Sequence, residues 1–187
     1  MQRHIRATLY SAAPGPVRVV SLCAGQGHDL IGALDGHPRA DDVQARLVEL
    51  DPRNCDAARA LAPPGMEVVT ADASSTNAYA GAVPAELVLA CGVFGNISDG
   101  DIVKTIQTLP SLCAPNATVI WTRHRREPDR TTDVRRWFVD AGFDEIAFEG
   151  HEGFAFGVGV NRLARDPDPF RPDVRMFDFV GSDQNWK

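Results

Sequence analysis

The chain has 187 residues, of which 44% are hydrophobic and 24% are charged, as expected for one soluble globular domain. Its formal net charge of −6 gives no general attraction to nucleic acid or to an anionic membrane. No apolar run reaches the ~18 residues that a membrane span needs, and MQRHIRATLY lacks the apolar core of a signal peptide. The sequence therefore predicts a cytoplasmic protein with no membrane or nucleic-acid partner, and it defines no oligomeric state.

Strand-like and helix-like segments alternate along the chain. The strands are nearly continuous runs of Val, Ile and Leu, which indicates burial on both faces of a parallel sheet covered by helices. Strands are predicted at 17–22, 45–50, 66–72, 85–94 and 117–123. Helices are predicted at 28–34, 54–62, 101–113 and 132–143.

The last two predicted strands differ from the others. DEIAFE (144–149) and FAFGVGVNRL (154–163) are joined only by GHEG, which is too short for a parallel crossover. They should form an antiparallel hairpin at one edge. The predicted fold is therefore α/β, a doubly wound, mostly parallel seven-stranded sheet with an antiparallel C-terminal strand and helices on both faces.

A glycine turn follows the first strand, in VVSLCAGQGHDLIGAL (19–34). Gly25 and Gly27 let backbone N–H groups and a helix N-terminus face a bound molecule without side chains in the way. Dinucleotides, nucleotides and S-adenosylmethionine all use this geometry. A tight strand-to-helix turn without a ligand would have the same sequence.

Cysteine spacing argues against a metal or redox site. The four thiols are far apart with no C-x-x-C pair, so no metal ligands are predicted and the thiols should be reduced and mostly buried. They are Cys23, Cys55, Cys91 and Cys113.

Residues 17–163 resemble the class I S-adenosylmethionine-dependent methyltransferase family. The terminal hairpin beside a doubly wound sheet is typical of that family, and three stretches fit its later motifs in the expected order: VELDPRNCDAAR, VVTADASS and LVLACGVFGNI. The resemblance implies S-adenosylmethionine as cofactor and S-adenosylhomocysteine as product.

The resemblance also implies a set of cofactor contacts. Asp51, at the end of the second strand and followed by Pro52, would accept hydrogen bonds from both ribose hydroxyls, at about the 20-residue interval that a ribose-binding acid needs. Asp72 would accept from the adenine amino group, while the N–H of Ala73 donates to the ring. The remaining contacts come from the glycine turn and the end of the fourth strand, and they are Cys23, Ala24, Gly25, Gly27, Asp29, Cys91 and Gly92.

The first motif departs from the family pattern. Ser21 stands where the family usually has an acid, and Cys23 stands where it has its first glycine. A side chain at Cys23 costs little only if its φ is negative. Asp29 either replaces the absent acid by binding the α-amino group of the cofactor or simply favours the helix dipole.

Methyl transfer needs alignment and sometimes a base. His124, after the fifth strand, is the candidate catalytic base, and an exposed loop histidine is the alternative. Phe94 and Asn96 would face the acceptor, although Phe94 would also fit the core. Arg123 and Arg125 could bind a carboxylate or phosphate of the substrate, or belong to a solvated face balanced by nearby acids.

The predicted function is methylation of an oxygen or nitrogen on a small-molecule acceptor. Nucleic-acid bases are disfavoured, because the fourth motif lacks an Asn/Asp-Pro-Pro-aromatic stretch and no Pro-Cys nucleophile is present. A non-catalytic protein that binds S-adenosylmethionine is one alternative, favoured by Ser21 and Cys23. A nicotinamide-dependent oxidoreductase is another, disfavoured because Leu30 replaces the third glycine of its fingerprint.

Three regions organise the chain. Residues 1–16 are predicted to be a helical extension or the remnant of a lid, and 17–163 the cofactor-binding domain. Residues 164–187 should be an extended tail packed on the domain, with a mobile terminus as the alternative. The tail carries the aromatic residues Phe170, Phe177, Phe179 and Trp186.

Overall fold

The computed structural model describes residues 1–150, 153 and 155–180. These residues form one seven-stranded sheet in the order β3-β2-β1-β4-β5-β7-β6, in which only β7 runs against its neighbours β5 and β6. The predicted sheet with its antiparallel C-terminal strand is therefore confirmed. The strands are β1 (Val17–Leu22), β2 (Val43–Glu49), β3 (Met66–Thr70), β4 (Ala85–Ala90), β5 (Cys113–His124), β6 (Phe143–Glu149) and β7 (Phe156–Leu163).

Helices cover both faces of this sheet, as the sequence predicted. On one face Leu9 and Leu30 are fully buried in a core cluster, and on the other Ile106 and Phe138 are buried in a second. Each cluster includes side chains from the strands, so the sheet is the middle layer of three. The helices are α1 (Gln2–Ser11), α2 (His28–Leu34), α3 (Pro52–Leu61), α4 (Asp99–Thr108) and α5 (Thr131–Asp140).

Three predicted boundaries are wrong by four residues or more, for local reasons. The fourth strand was expected to reach residue 94, but β4 ends at Ala90 because the chain turns at Gly92, whose φ is 72°. The helix expected over 101–113 ends at Thr108, because Pro110 lies in the tighter turn Leu109–Ser111 that follows. As a result β5 begins at Cys113, four residues earlier than expected, and pairs with β4 from Ala85.

Trp121 anchors the antiparallel edge to the core. Its ring stacks on Phe138 with centroids 5.8 Å apart, and its Nε1 donates to Asn161 Oδ1 at 2.8 Å. A Cβ at Gly159 on β7 would overlap the indole, so only glycine fits opposite Trp121. Within the connection between β6 and β7, residues 151, 152 and 154 lie outside the described residues, and Phe154 of the predicted strand is one of them.

The segments that precede the first strand and follow the last strand in the sequence are both packed on the domain. Helix α1 contacts α2, and Gln2 Nε2 donates to the His28 carbonyl at 3.0 Å. In the C-terminal segment, defined here as residues 164–180, Met176 and Phe177 are buried, and Met176 N donates to the Ser74 carbonyl at 2.7 Å. Trp186 of the predicted tail lies outside the described residues. No described helix is long and apolar enough to cross a membrane.

Candidate active site

The candidate site lies at the carboxyl edge of the sheet. Strands β1 and β4 are neighbours there, and the chain order reverses between them, which is where open α/β sheets bind ligands. The parallel strands end at this edge, so their following turns meet. These turns are 23–27, 49–51, 71–73, 91–96 and 124–126.

The first turn is shaped by residues with positive φ. Gly27 has φ 75° and precedes α2, and a Cβ there would lie 2.7 Å from Leu47 Cδ2. Gly25 has φ 56°, and a Cβ there would meet no heavy atom within 4 Å, so its backbone faces open space. Cys23 has φ 50°, so the negative φ that would make this residue inexpensive is absent. Left-handed backbone costs about 1–2 kcal/mol for a residue with a side chain.

Glu49, which the sequence analysis did not select, is the carboxylate that faces this turn. It is the last residue of β2, and its oxygens accept from Gly25 N and Asp51 N, each at 2.9 Å. Asp51 instead caps α3, accepting from Arg53 N at 2.9 Å, and a hydrogen bond from the Arg53 side chain lowers its pKa. Pro52 is the first residue of that helix, a position where proline is favoured.

The signal for Glu49 was present in the sequence. Asp followed by Pro is the pattern of a helix cap and first helical residue, which places Asp51 in the helix start and the strand end two residues earlier. The spacing rule alone did not separate the two acids, because both follow the glycine turn by about 20 residues.

Asp72 lies after β3 and is held from two sides. Its Oδ1 accepts from Ser74 N at 2.9 Å, and its Oδ2 from Arg175 Nη1 at 3.2 Å. Burial opposes ionisation of Asp72, but these hydrogen bonds and the Arg175 charge together lower its pKa. The next residue, Ala73, is fixed by Tyr79, whose hydroxyl donates to the Ala73 carbonyl at 2.7 Å. The Arg175 contact could not be predicted, because it joins residues 103 positions apart.

Two further sequence candidates lie on the β1 and β4 side of the edge. Asp29 is in the first turn of α2, where burial raises its pKa and the positive charges of the Met1 ammonium and His28 act against that effect. Burial also raises the pKa of Cys91 well above its usual value, so its thiol stays protonated. Gly92 has φ 72° with open space at its Cβ position, and its N–H donates to Thr122 Oγ1 at 2.9 Å.

A cavity of about 250 Å³ opens beside Gly92, between the ends of β4 and β5. Asn96 lines it and donates to the Gly92 carbonyl at 2.7 Å. Phe156 of β7 lines it too and is 58% exposed. Phe94 does not: its side chain is fully buried against Trp121, with ring centroids 6.0 Å apart. Phe94 is therefore a core residue rather than an acceptor contact.

His124 also lines this cavity. Its Nε2 lies 3.3 Å from the Gly95 carbonyl oxygen, and its Nδ1 is buried without a hydrogen-bond partner among the described residues. Burial, and next the charge of Arg123, lower its pKa, so the ring is neutral near pH 7 and can accept a proton. This is the protonation state that a general base requires.

The two arginines expected to bind substrate are placed differently. Arg123 lines the cavity and is only 8% exposed. Arg125 lies outside the cavity lining and holds the loop after β5: its Nε donates to Asp129 at 2.9 Å and its Nη1 to the Gly150 carbonyl at 2.6 Å. Among the described residues, no cluster of three His, Cys, Asp or Glu side chains could hold a metal ion.

Strand order, switch point and glycine turn define a Rossmann-like fold of the class I methyltransferase type. Magnesium protoporphyrin IX methyltransferase from Synechocystis PCC 6803, solved with bound S-adenosylmethionine, is similar to this chain with a TM-score of 0.65 and 14% identity over 86% of this chain and 77% of its own. The resemblance seen in the motifs is thus confirmed at the level of the fold.

Other neighbours show how widely this fold is used. An O-methyltransferase family protein from Burkholderia thailandensis has a TM-score of 0.63 and 14% identity, covering 87% of this chain, which spans only 56% of that protein. The fibrillarin pre-rRNA processing protein of Methanococcus jannaschii has a TM-score of 0.64 and 13% identity, covering 82% of this chain and 70% of its own. No protein-family model and no curated protein matches the sequence.

Proposed function

We propose that this protein is an S-adenosylmethionine-dependent methyltransferase acting on an oxygen or nitrogen of a small-molecule acceptor. One observation carries the proposal. At the switch point of a methyltransferase-type fold, the Gly25 backbone faces open space beside the Glu49 carboxylate, which ties the ends of β1 and β2 together. A cofactor with a ribose between two polar ends fits such an edge.

In this proposal Glu49 takes the ribose role that the sequence analysis gave to Asp51. Each Glu49 oxygen accepts one backbone N–H, and a carboxylate has about four acceptor positions, so both oxygens can also accept from hydroxyls. The turn from Cys23 to Gly27 would lie against the methionine end, with Asp29 near its amino group.

The adenine and the sulfonium would lie on either side of that ribose. Asp72 and the backbone of Ala73 would hold the adenine, while Cys91 and Gly92 would lie on the side next to the acceptor. The buried, protonated Cys91 thiol is a poor nucleophile, so it would pack rather than react with the methyl group.

S-adenosylmethionine would supply an activated methyl group, and the residues of this chain would position the acceptor. His124 would remove a proton from the attacking oxygen or nitrogen, since its ring is neutral and lines the cavity beside Gly92. Because Nε2 donates to the Gly95 carbonyl, the lone pair is on Nδ1, and a rotation of the ring would turn this atom towards the acceptor. Asn96 and Phe156 would orient the acceptor, whose attacking group fits in a cavity of about 250 Å³. The size of this cavity and the net charge of −6 favour a small molecule over RNA.

A non-catalytic binding protein is the second candidate. It is favoured by the ion pair between Arg175 and Asp72, which occupies one oxygen of the proposed adenine acceptor. Turnover against a panel of hydroxylated and amine metabolites separates the two, because a binding protein would hold S-adenosylmethionine without consuming it.

Calorimetry tests the cofactor assignment directly. We expect S-adenosylmethionine and S-adenosylhomocysteine to bind saturably and NAD not to bind. Glu49→Gln should weaken S-adenosylhomocysteine binding about tenfold or more, the scale of a charge-assisted hydrogen bond. Asp51→Asn is the matched control: it removes the same charge two residues away and keeps a good helix cap, so affinity should stay within about twofold.

Two results would contradict the assignment. Binding of NAD alone would indicate an oxidoreductase. A loss in Asp51→Asn with none in Glu49→Gln would return the ribose role to Asp51.

A further inference from the structure

A second cavity, of about 530 Å³, adjoins the acceptor cavity. The two share Gly95, Arg123, His124 and Arg126, so a molecule can extend from one into the other. The smaller cavity reaches Gly92 and Phe156, whereas the larger one runs towards the start of α4. An acceptor held beside His124 would therefore project its distal part into the larger cavity.

Arg123 is the central charge between these cavities. The residue is only 8% exposed, and its Nη1 donates to the Phe94 carbonyl. Its Nε has no hydrogen-bond partner, and no carboxylate lies within ion-pair distance of it among the described residues. A guanidinium stays charged even when buried, so within the described part of the chain Arg123 is a buried cation without a neutralising carboxylate.

The neighbouring acids are already engaged with other arginines. Asp99 is 3.2 Å from Arg130 Nε, and Asp129 is 2.9 Å from Arg125 Nε. Neither carboxylate is therefore available to move onto Arg123 without breaking another pair. The charge of Arg123 would therefore be neutralised by an anion that enters the cavity.

The lining of the larger cavity is rich in guanidinium groups. Arg123, Arg126 and Arg130 line it together with Asp99 and Glu127. Arg130 is paired with Asp99 and with Asp133, so the charge that the cavity offers to an anion is chiefly that of Arg123. In a partly enclosed cavity such a charge attracts an anion more strongly than it would on an open surface.

We propose that the larger cavity binds an anionic group of the methyl acceptor, a carboxylate or a phosphate, with Arg123 as its principal ligand. This inference rests on the proposed methyltransferase function, because it assigns the distal end of the molecule whose other end lies beside His124. It makes Arg123 the residue that selects acidic acceptors over neutral ones of the same shape, since a neutral group would leave the buried guanidinium unpaired.

The test is calorimetric binding of simple probes to the full chain saturated with S-adenosylhomocysteine, at constant ionic strength. Benzoate and phenyl phosphate carry the two anionic groups on one ring, and benzamide is the neutral counterpart of benzoate. We expect at least one anion to bind saturably and benzamide to bind at least about tenfold more weakly. The anion that binds more tightly identifies the group.

Variants locate the site. Arg123→Gln should abolish the preference for the anion, and Arg123→Lys should weaken it, because an ammonium lacks the planar pair of donors. Arg136→Gln is the control: it removes the same charge from a side chain that is 64% exposed and lines neither cavity, so affinity should not change. If Arg123→Gln does not fold, Arg123→Lys alone locates the site, and its loss of anion affinity relative to the wild type is the result that is read.

Equal binding of benzoate and benzamide would overturn the proposal, as would an equal loss in Arg136→Gln. Binding of a short RNA oligonucleotide that Arg123→Lys does not affect, with no binding of either small anion, would also overturn it. The S-adenosylhomocysteine titration is read separately. If the cofactor binds and the anions do not, only the anion site fails; if the cofactor does not bind, the methyltransferase function fails first.

Discussion

At the scale of single residues, Gly95 determines where the imidazole of His124 lies. Its carbonyl oxygen is 3.3 Å from His124 Nε2, and a Cβ added to Gly95 would lie 2.7 Å from His124 Cδ2. The φ of Gly95 is not in the left-handed region, so alanine would be compatible with the backbone, and the atoms nearest to its Cβ would all belong to the imidazole. Gly95 is therefore a means of moving the proposed base without removing it.

We expect Gly95→Ala to lower kcat about tenfold or more, because a displaced catalytic group loses most of its rate contribution. S-adenosylhomocysteine affinity should stay unchanged. Gly100→Ala is the control, since a Cβ there has only Ser98 Oγ at 3.9 Å and alanine is favoured within α4. Equal kcat in wild type and Gly95→Ala would show that His124 is not positioned for catalysis.

The pH dependence of kcat tests His124 itself. Its lowered pKa means that half of the rings are in the base form at a pH below the usual histidine value of about 6.5. Activity should rise with pH through an apparent pKa below 6.5 and level off above it. His124→Ala should lose this step and lower kcat at least about 10²-fold. A wild-type step above pH 7 would point to another group, including the substrate.

At the scale of elements, the C-terminal segment is part of the core rather than an appendage. It forms isolated bridges from Arg175 to Ser75 and from Phe179 to Ile97, so it crosses from the β3 turn to the β4 turn. Phe177 is 1% exposed, whereas its ring neighbour Phe179, 5.4 Å away, is 53% exposed.

These two phenylalanines form a matched pair for measuring that packing. Phe177→Ala should lower the free energy of unfolding by about 3–5 kcal/mol, as expected for a large aromatic removed from a core. Phe179→Ala should change it by less than about 1 kcal/mol. Urea unfolding monitored by circular dichroism measures both. A small effect at Phe177 would mean that the segment detaches at little cost.

Elements defined by local patterns could be predicted from the sequence, whereas contacts between distant residues could not. Helix α2 matches its predicted range, and β6 and β7 form the hairpin expected from the short connection, because periodicity and turn length are local signals. Glu49, which we propose for the ribose role, was not selected from the sequence because two acids lie at about the same spacing and only the Asp51-Pro52 cap pattern separates them. The contact between Asp72 and Arg175 carries no local signal at all.

At the scale of the whole molecule, ionisable groups limit the pH range of stability. Hydrogen bonds from Arg135 and Arg165 lower the pKa values of Glu145 and Asp168, respectively. The folded protein therefore releases these protons more readily than the unfolded chain does. Their contribution to stability is present above about pH 4.5 and is lost as the pH falls through the lowered values.

Buried thiols limit the stability of the folded protein at alkaline pH. Burial raises the pKa of Cys113 from 9.0 to about 12, and the same holds for Cys23. The folded protein then keeps thiol protons that the unfolded chain loses, so stability should decline as the pH rises above about 9. Urea midpoints from pH 4 to 10 should show a plateau between the two limits. Cys113→Ala should decline less at the alkaline end, and an identical decline would exclude this thiol as a cause.

The hydrogen bond from Val174 N to Thr76 Oγ1 closes a long loop of the chain, since the two residues are 98 positions apart. Contacts this distant are entropically costly to form early, so docking of the C-terminal segment should follow formation of the sheet in time. Weakening a late contact speeds unfolding and leaves the folding rate nearly unchanged. In stopped-flow measurements Phe177→Ala should therefore shift the unfolding limb and spare the refolding limb, which makes the segment a determinant of how long the native state lasts.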